Sequence, residues 1–309
     1  MIPLLLGVFA AAPAGELPLH PDDLAVLRKI AEHQKLDAPP AKATKGWPLQ
    51  KGEVGVRFAS KESPSHALTV LYDSTGRVTK LAGNGPLLDN ESLKWAAALP
   101  ELRVIRIDHN IPAPKSGESP EPYDGSGFAA LTDSKLDEVK IGHAFDDDGL
   151  AAIAKIRTLR VLWVGHSRVT DKGVEALRGH PNLEEFKISS QGRPNRITEK
   201  SVAVLATLPK LKRLGLHETF VTYDGGLKHL VPLKGRLESL SLKSSLVLPA
   251  DVEKLRAELP DLKIETSTPA EIMASPNSRG LARWASPAAQ EYLKTAETPA
   301  VPGKPAAKK

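Results

Sequence analysis

Three histidines, His109, His143 and His166, each stand two positions beyond an isoleucine or valine (Ile107, Ile141, Val164), with Asp108 beside the first. Brought onto neighbouring segments, three imidazoles could share a metal, because a His–zinc bond spans only about 2.0–2.1 Å. Ser190 and Glu218 occupy the next two places of the same series. The bland reading is an ordinary solvent edge, since the nine histidines are widely spread and a long insertion follows His109.

A second series is Arg106, Lys140, Trp163 and Lys187, continued by Gly215 and Ser241. A third, two positions earlier, is Val104, Glu138, Val161, Glu185, Arg213 and Ser239. An indole flanked by ammonium groups suits an acidic protein patch or an anionic sugar, and aromatic and arginine side chains dominate binding hot spots. The competing reading is that Glu138 with Lys140, and Glu185 with Lys187, form solvated ladders that Trp163 merely covers.

Covalent and phosphoryl chemistry finds no footing in the pattern. There is no Gly-rich phosphate loop, no G-x-S-x-G elbow and no H-E-x-x-H pair. With no cysteine, disulfides, thiolate nucleophiles and Cys-zinc sites are excluded. Asp146-Asp147-Asp148 lacks the ligand spacing and the closing Glu of a calcium loop, and reads as a helix start. The net charge of +5 is mild, and part of it sits in Gly303–Lys309, which holds three Lys and no acid. A nucleic-acid binder would cluster its cations on one face, so nucleic acid is not expected. No cofactor is implied.

What positions these series is a repeated phrase: apolar, two variable, apolar, one variable, apolar. It appears as Leu102-Ile105-Ile107, Leu136-Val139-Ile141, Leu159-Leu162-Val164, Leu183-Phe186-Ile188, Leu211-Leu214-Leu216 and Leu237-Leu240-Leu242. A degenerate copy at Val78 and Leu81 opens the run, and a shortened one at Leu262 and Ile264 closes it. The first positions are separated by 24, 34, 23, 24, 28, 26 and 25 residues. The two longest intervals carry insertions, between Asn110 and Gly127 and at Gln191–Asn195. The second half of each phrase alternates like a strand, whereas Leu150, Ile153, Ile156 and Val202, Leu205, Leu208 and Leu227, Leu230, Leu233 have helical spacing. Asp89, Asp146, Thr170 and Thr198 stand where an N-cap oxygen is needed. Pro100, Pro181, Pro209 and Pro260 stand where a helix must end before the next strand.

A strand, a turn and a short helix cannot cover their own apolar side, but stacked copies can. The phrase L-x-x-L-x-L followed by turn and helix resembles the leucine-rich repeat. Val169–Leu177 looks like the ribonuclease-inhibitor-like branch, whose units carry a true helix. The resemblance covers residues 76–266 and implies an α/β solenoid of about seven to eight units, with a curved parallel sheet inside and helices outside. It also implies binding on the strand face. Where the family usually has Asn or Cys after the last strand Leu, this chain has Asn110, Ala144, Ser167, Ser190, Thr219 and Ser245, so a continuous Asn ladder is absent.

The flanks read differently. Residues 1–14 resemble a signal peptide: an apolar stretch from Ile2 to Ala12, then the small-x-small Ala12-Pro13-Ala14. The alternative is a hydrophobic arm. Residues 15–75 read as an N-terminal cap, with a helix over 21–34, a Pro/Ala/Lys linker from Asp37 to Gly46, and strands at Val54–Ala59 and Leu68–Tyr72. Residues 267–309 read as a mostly disordered Pro/Ala/Lys tail with one weak helix from Ser286 to Ala296. No segment after the signal is expected to cross a membrane. The expectation is an exported, non-enzymatic protein that binds a partner, protein or anionic polysaccharide, through Arg106, Glu138, Lys140, Trp163, Glu185, Lys187 and Arg213. The alternatives are a cell-envelope scaffold with a basic tail, and a metal-binding protein using His109, His143 and His166.

Overall fold

Eleven strands form one sheet whose spatial order follows the chain from β1 to β11 without a crossover. The computed structural model describes residues 18–37, 40–43, 55–62, 66–84, 88–108, 124–142, 145–190, 196–275 and 279–296. Strands β1 (Ala41–Ala43), β2 (Gly55–Ala59), β3 (Ala67–Tyr72) and β4 (Val78–Asn84) pair antiparallel. From β4 onward every pairing is parallel: β5 (Val104–Asp108), β6 (Glu138–Gly142), β7 (Val161–Gly165), β8 (Glu185–Ser189), β9 (Arg213–His217), β10 (Ser239–Leu242) and β11 (Lys263–Thr266).

The register explains the repeated phrase. Leu81, Ile105, Val139, Leu162, Phe186, Leu214 and Leu240 are successive partners across the sheet, each at most 1% exposed. Burying one such side chain fully contributes about 1.5–3 kcal/mol. A slip of one residue would turn the whole row outward, so the apolar row itself locks the stack in register. Between strands the chain returns through short helices: α2 (Asn90–Ala96), α3 (Asp147–Ile153), α4 (Asp171–Glu175), α5 (Glu199–Leu205) and α6 (Pro249–Glu258), with 3₁₀ turns at Ser126–Leu131 and Leu227–Leu233. Asp89, Asp146, Thr170 and Thr198 are the N-caps of α2 to α5, each accepting a free backbone N–H. The Leu227–Leu233 segment winds as 3₁₀ and holds Pro232, which withholds a backbone donor from a regular α-helix. This is the leucine-rich-repeat solenoid, with a strand layer, a helix layer and a leucine core between them.

Two polar ladders tie adjacent units together. On the turn side, short hydroxyls stand in for the missing Asn. Ser245 Oγ donates to the Leu216 carbonyl at 2.6 Å and accepts from the Thr219 N–H at 3.1 Å. Ser190 Oγ donates to the Glu218 carbonyl. Ser167, Ser190, Thr219 and Ser245 are all buried, so these bonds satisfy groups that water cannot reach. On the helix side, Asp147 accepts both the backbone N–H and the hydroxyl of Thr170, and Asp171 does the same for Thr198. The two threonine N-caps are thus each held by an aspartate of the preceding unit.

At the N-terminal end, α1 (Pro21–His33) lays Leu27 and Ile30 against the first strands. Its fully buried Asp23 accepts from Arg77 Nη1 and from the Val78 N–H, both at 2.7 Å. The stretch expected to be a linker contributes β1, whose backbone pairs with β2 although its three residues, Ala-Lys-Ala, are too few to mark a strand.

At the other end the helix expected from Ser286 to Ala296 is present as α8 (Pro287–Lys294), and it is preceded by two elements in a stretch expected to be disordered, α7 (Pro269–Ala274) and a 3₁₀ turn (Gly280–Trp284). Ile272, Leu281, Ala289 and Leu293 bury themselves with Leu246 in a second small core, against Phe220 and Leu248. Those of α7 and the 3₁₀ turn are too sparse to define a helix alone and gain order from the surface beneath them. The signal-like segment, the 110–123 insertion and residues 297–309 lie outside the described residues.

Candidate functional site

On a strand whose alternate residues are buried, the intervening side chains must face the other way. The register places Ala82, Arg106, Lys140, Trp163, Lys187, Gly215, Ser241 and Glu265 in one row across the sheet. Lys80, Val104, Glu138, Val161, Glu185, Arg213, Ser239 and Lys263 form the parallel row two residues earlier. Neighbouring strands are about 4.8 Å apart, so side chains along a row touch.

All seven residues expected on this face join one network. Trp163 lies between two ammonium groups, with Lys140 Nζ at 3.6 Å and Lys187 Nζ at 3.9 Å from its ring centroid. Its Nε1–H donates to Glu185 Oε1 at 2.7 Å. Glu185 also accepts from Arg213 Nε at 2.6 Å and pairs with Lys187 at 2.9 Å. Glu138 accepts from Arg106 Nε at 2.6 Å and pairs with Lys140 at 3.3 Å. The indole is half-buried, and an ammonium group from each neighbouring strand lies over its ring.

The layering is electrostatic. The Glu185 side chain is 9% exposed, whereas Lys187 is 31% and Arg213 41% exposed. Around Glu185 the carboxylate therefore forms the floor and the cations the surface, whereas Arg106 and Glu138 lie equally deep, each 17% exposed. Burial alone would raise the Glu185 pKa, but hydrogen bonds from Lys187, Arg213 and Trp163 outweigh it and hold the carboxyl below its usual range. Burial likewise pushes the Lys140 ammonium below its ordinary value, against the pull of Glu138. Each cation–π contact adds about 0.5–2 kcal/mol, the upper end only where water is excluded. The two readings of the sequence, an indole among cations and a Lys–Glu ladder, describe one assembly.

Beyond Lys187 the side chains shrink to Gly215, Ser239 and Ser241, and the surface dips into a hollow of about 310 Å³. Its rim includes His217, a residue outside the two rows singled out in the sequence. The signal was available: Ser189 and His217 are register partners, each one position past the last apolar residue of the repeated phrase, Ile188 and Leu216. Burial, then the Lys187 ammonium, hold His217 below the ordinary imidazole pKa, and its Nε2 lies 3.0 Å from Ser241 Oγ.

Of the histidine series, His109 and His143 lie outside the described residues. His166 sits in a left-handed turn (φ 46°), and its Nε2 lies 3.1 Å from Glu218 Oε1, itself in a left-handed turn (φ 55°). Ser189 Oγ donates to the other carboxylate oxygen at 2.5 Å. Serine and histidine both address Glu218 and not each other, so the imidazole is not placed to take the hydroxyl proton. Among the described residues no group of three or more His, Cys, Asp or Glu side chains is arranged to hold a metal ion.

The Glu218 carboxylate, hydrogen-bonded to the imidazole, raises the His166 pKa against the opposing effect of burial. A raised folded-state pKa gives stability that is complete below the unfolded value, about 6.5, and is lost as pH rises through the folded value. His166→Asn keeps a side chain that tolerates positive φ. We expect the melting temperature of this variant to fall short of the wild type by more at about pH 5.5 than at about pH 8.5. An equal shortfall at both would remove the coupling.

No protein-family model matches the chain, and no curated protein matches it. Solved structures similar to it include an internalin C2 from Listeria monocytogenes, with 17% identity, TM-score 0.39, and 62% of this chain and 81% of that one covered. A leucine-rich-repeat protein from Leptospira interrogans shows 20% identity and TM-score 0.35 over 56% of this chain and 50% of that one. A second Listeria monocytogenes internalin shows 14% identity and TM-score 0.35 over 62% and 51%. The matched part of this chain thus spans about half the length of the latter two. At such scores the likeness carries no functional argument, and the repeat architecture rests on this chain's own strand register.

Proposed function

We propose that the chain is a non-enzymatic recognition module of the ribonuclease-inhibitor-like branch, which docks a protein partner on the strand face around Trp163. The observation that supports this reading is the clamp itself. An indole held between two ammonium groups, with its N–H fixed by a buried carboxylate, is a rigid, cation-rich patch on an inflexible sheet. Such pre-ordering lowers the entropy lost on docking.

The clamp also discriminates among partner classes. A sugar ring stacks on an open aromatic face, whereas an ammonium group from each neighbouring strand lies over the Trp163 ring. A nucleic-acid backbone calls for unneutralised cations, whereas Arg106 and Lys140 share Glu138, and Lys187 and Arg213 share Glu185. A protein surface bearing acids beside apolar groups meets both features. Export remains an expectation founded on residues 1–14; no helix among the described residues is long and apolar enough to cross a membrane.

The test is affinity capture from native extract with wild type and a Trp163→Ala, Lys187→Ala double variant. We expect recovery of the captured protein to fall at least about tenfold, the equivalent of one hot-spot residue, while the melting curve stays cooperative. Unchanged recovery would place the docking surface elsewhere.

A further inference from the structure

The hollow beside the clamp has a chemistry of its own. Its lining includes the small side chains of Ser239 and Ser241, beside Gly215 in the same strand row, and its volume is about 310 Å³. Four cationic side chains rim it: Lys187, Arg213, Lys243 and Lys263. Lys187 and Arg213 share one carboxylate, Glu185, and Lys243 pairs with the rim's own Glu265 at 3.1 Å. Lys263 forms no ion pair among the described residues. Counting both carboxylates, cations outnumber anions four to two. The surplus is concentrated over small hydroxyl-bearing residues. A Cβ at Gly215 would lie 2.8 Å from Lys187 Cγ, so glycine keeps the floor low and lets that lysine fold over it.

We propose that this basin is an acid-accepting subsite that takes paired carboxylates from an acidic loop of a protein partner. It rests on the reading that the strand face is the docking surface and adds the chemical class of the group received there. The rim ammonium and guanidinium groups are the charge-assisted donors, and the Ser239 hydroxyl is a neutral one. The volume matches one or two carboxylate side chains. No Trp, Tyr or Phe lines the basin, and His217, whose Nε2 lies 3.0 Å from Ser241 Oγ, is the sole ring there, which disfavours a stacked sugar. The basin lies next to the clamp through the shared Lys187 and Glu185, so a loop seated in it lies against Trp163 as well.

The probe is a fluorescein-labelled hexaglutamate peptide, titrated by anisotropy into the full chain, with hexaglutamine and a sulfated oligosaccharide as comparison ligands. We expect hexaglutamate to bind, hexaglutamine not to bind, and affinity to fall as salt is raised. Lys243→Glu with Lys263→Glu, both exposed, should weaken hexaglutamate binding by at least about tenfold with unchanged melting. Ser239→Leu, which fills the floor without altering charge, should weaken it as well. Absence of hexaglutamate binding, or equal binding by the reversed-charge variant, overturns the subsite. Much tighter binding of the sulfated oligosaccharide, equally reduced by Ser239→Leu, overturns the carboxylate assignment. The broader docking reading is separable. If the captured partner is lost with Trp163→Ala but retained by Lys243→Glu with Lys263→Glu, the basin proposal falls and the strand-face reading survives.

Discussion

Replacing Asp23 with Ala is expected to release the N-terminal cap and cost about 3 kcal/mol, at the low end for breaking a buried pair. The carboxylate is fully buried and is the shared acceptor of Arg77 Nη1 and the Val78 N–H, which opens the first parallel strand. Without it a buried backbone donor loses its partner, and the Arg77 guanidinium keeps only His20 and the more distant Asp22. Arg77 is 25% exposed and can recover some water, which is why the low end applies. A solenoid end unfolds more readily than its middle, because each unit contacts only its neighbours. Hydrogen exchange should therefore quicken first in β2 to β4 and last in β7 to β9. Asp23→Asn should be little better, since its amide presents donors towards Arg77. Unchanged exchange in β2 to β4 for the Ala variant would show that α1 is not what seals that end.

Replacing Glu185 with Ala is expected to dismantle the clamp from beneath, at a cost of about 2 kcal/mol, the scale of hydrogen bonds to a charged group. This carboxylate holds Trp163, Lys187 and Arg213. Its removal leaves Lys140 and Lys187 repelling each other across the indole with no acid between them. The cations are partly exposed and can swing into water, so stability falls less than for a dry ion pair. Partner recovery should fall as far as it does for Trp163→Ala, although the substituted atom lies beneath the surface. Trp163 emission should shift to the red as water reaches the ring. If Trp163→Phe and Glu185→Ala prove additive in a double-mutant cycle, the two do not act as a unit.

The repeated phrase set the strand positions, because only a leucine-type residue at each of its three places can be buried in a layer this thin. The capping residues followed from an equally local rule. Asp89, Asp146, Thr170 and Thr198 each cap the helix their position implied. The membership of the two surface rows was legible too, since it depends only on the alternation of a strand and a constant offset between repeats. Local pattern failed where order comes from a distant surface. The strand Ala41–Ala43 is too short for its alternation to be read from sequence and pairs with the edge that β2 offers. Of the C-terminal elements only the helix from Ser286 onward was legible; α7 and the 3₁₀ turn carry too few apolar groups to announce themselves, and all three pack with Phe220, Leu246 and Leu248.

The amino-acid order by itself determined the architecture and which side chains share a face, because burial periodicity is written within a couple of dozen residues. The third dimension decided what those side chains do to one another. That Trp163 is gripped from both neighbouring strands, that Glu185 serves three donors, and that His166 reaches past one unit to Glu218 depend on rotamers and on contacts between strands. Contacts across units vary with every neighbouring side chain, and a one-dimensional pattern fixes a residue's row but not the direction in which its charge points.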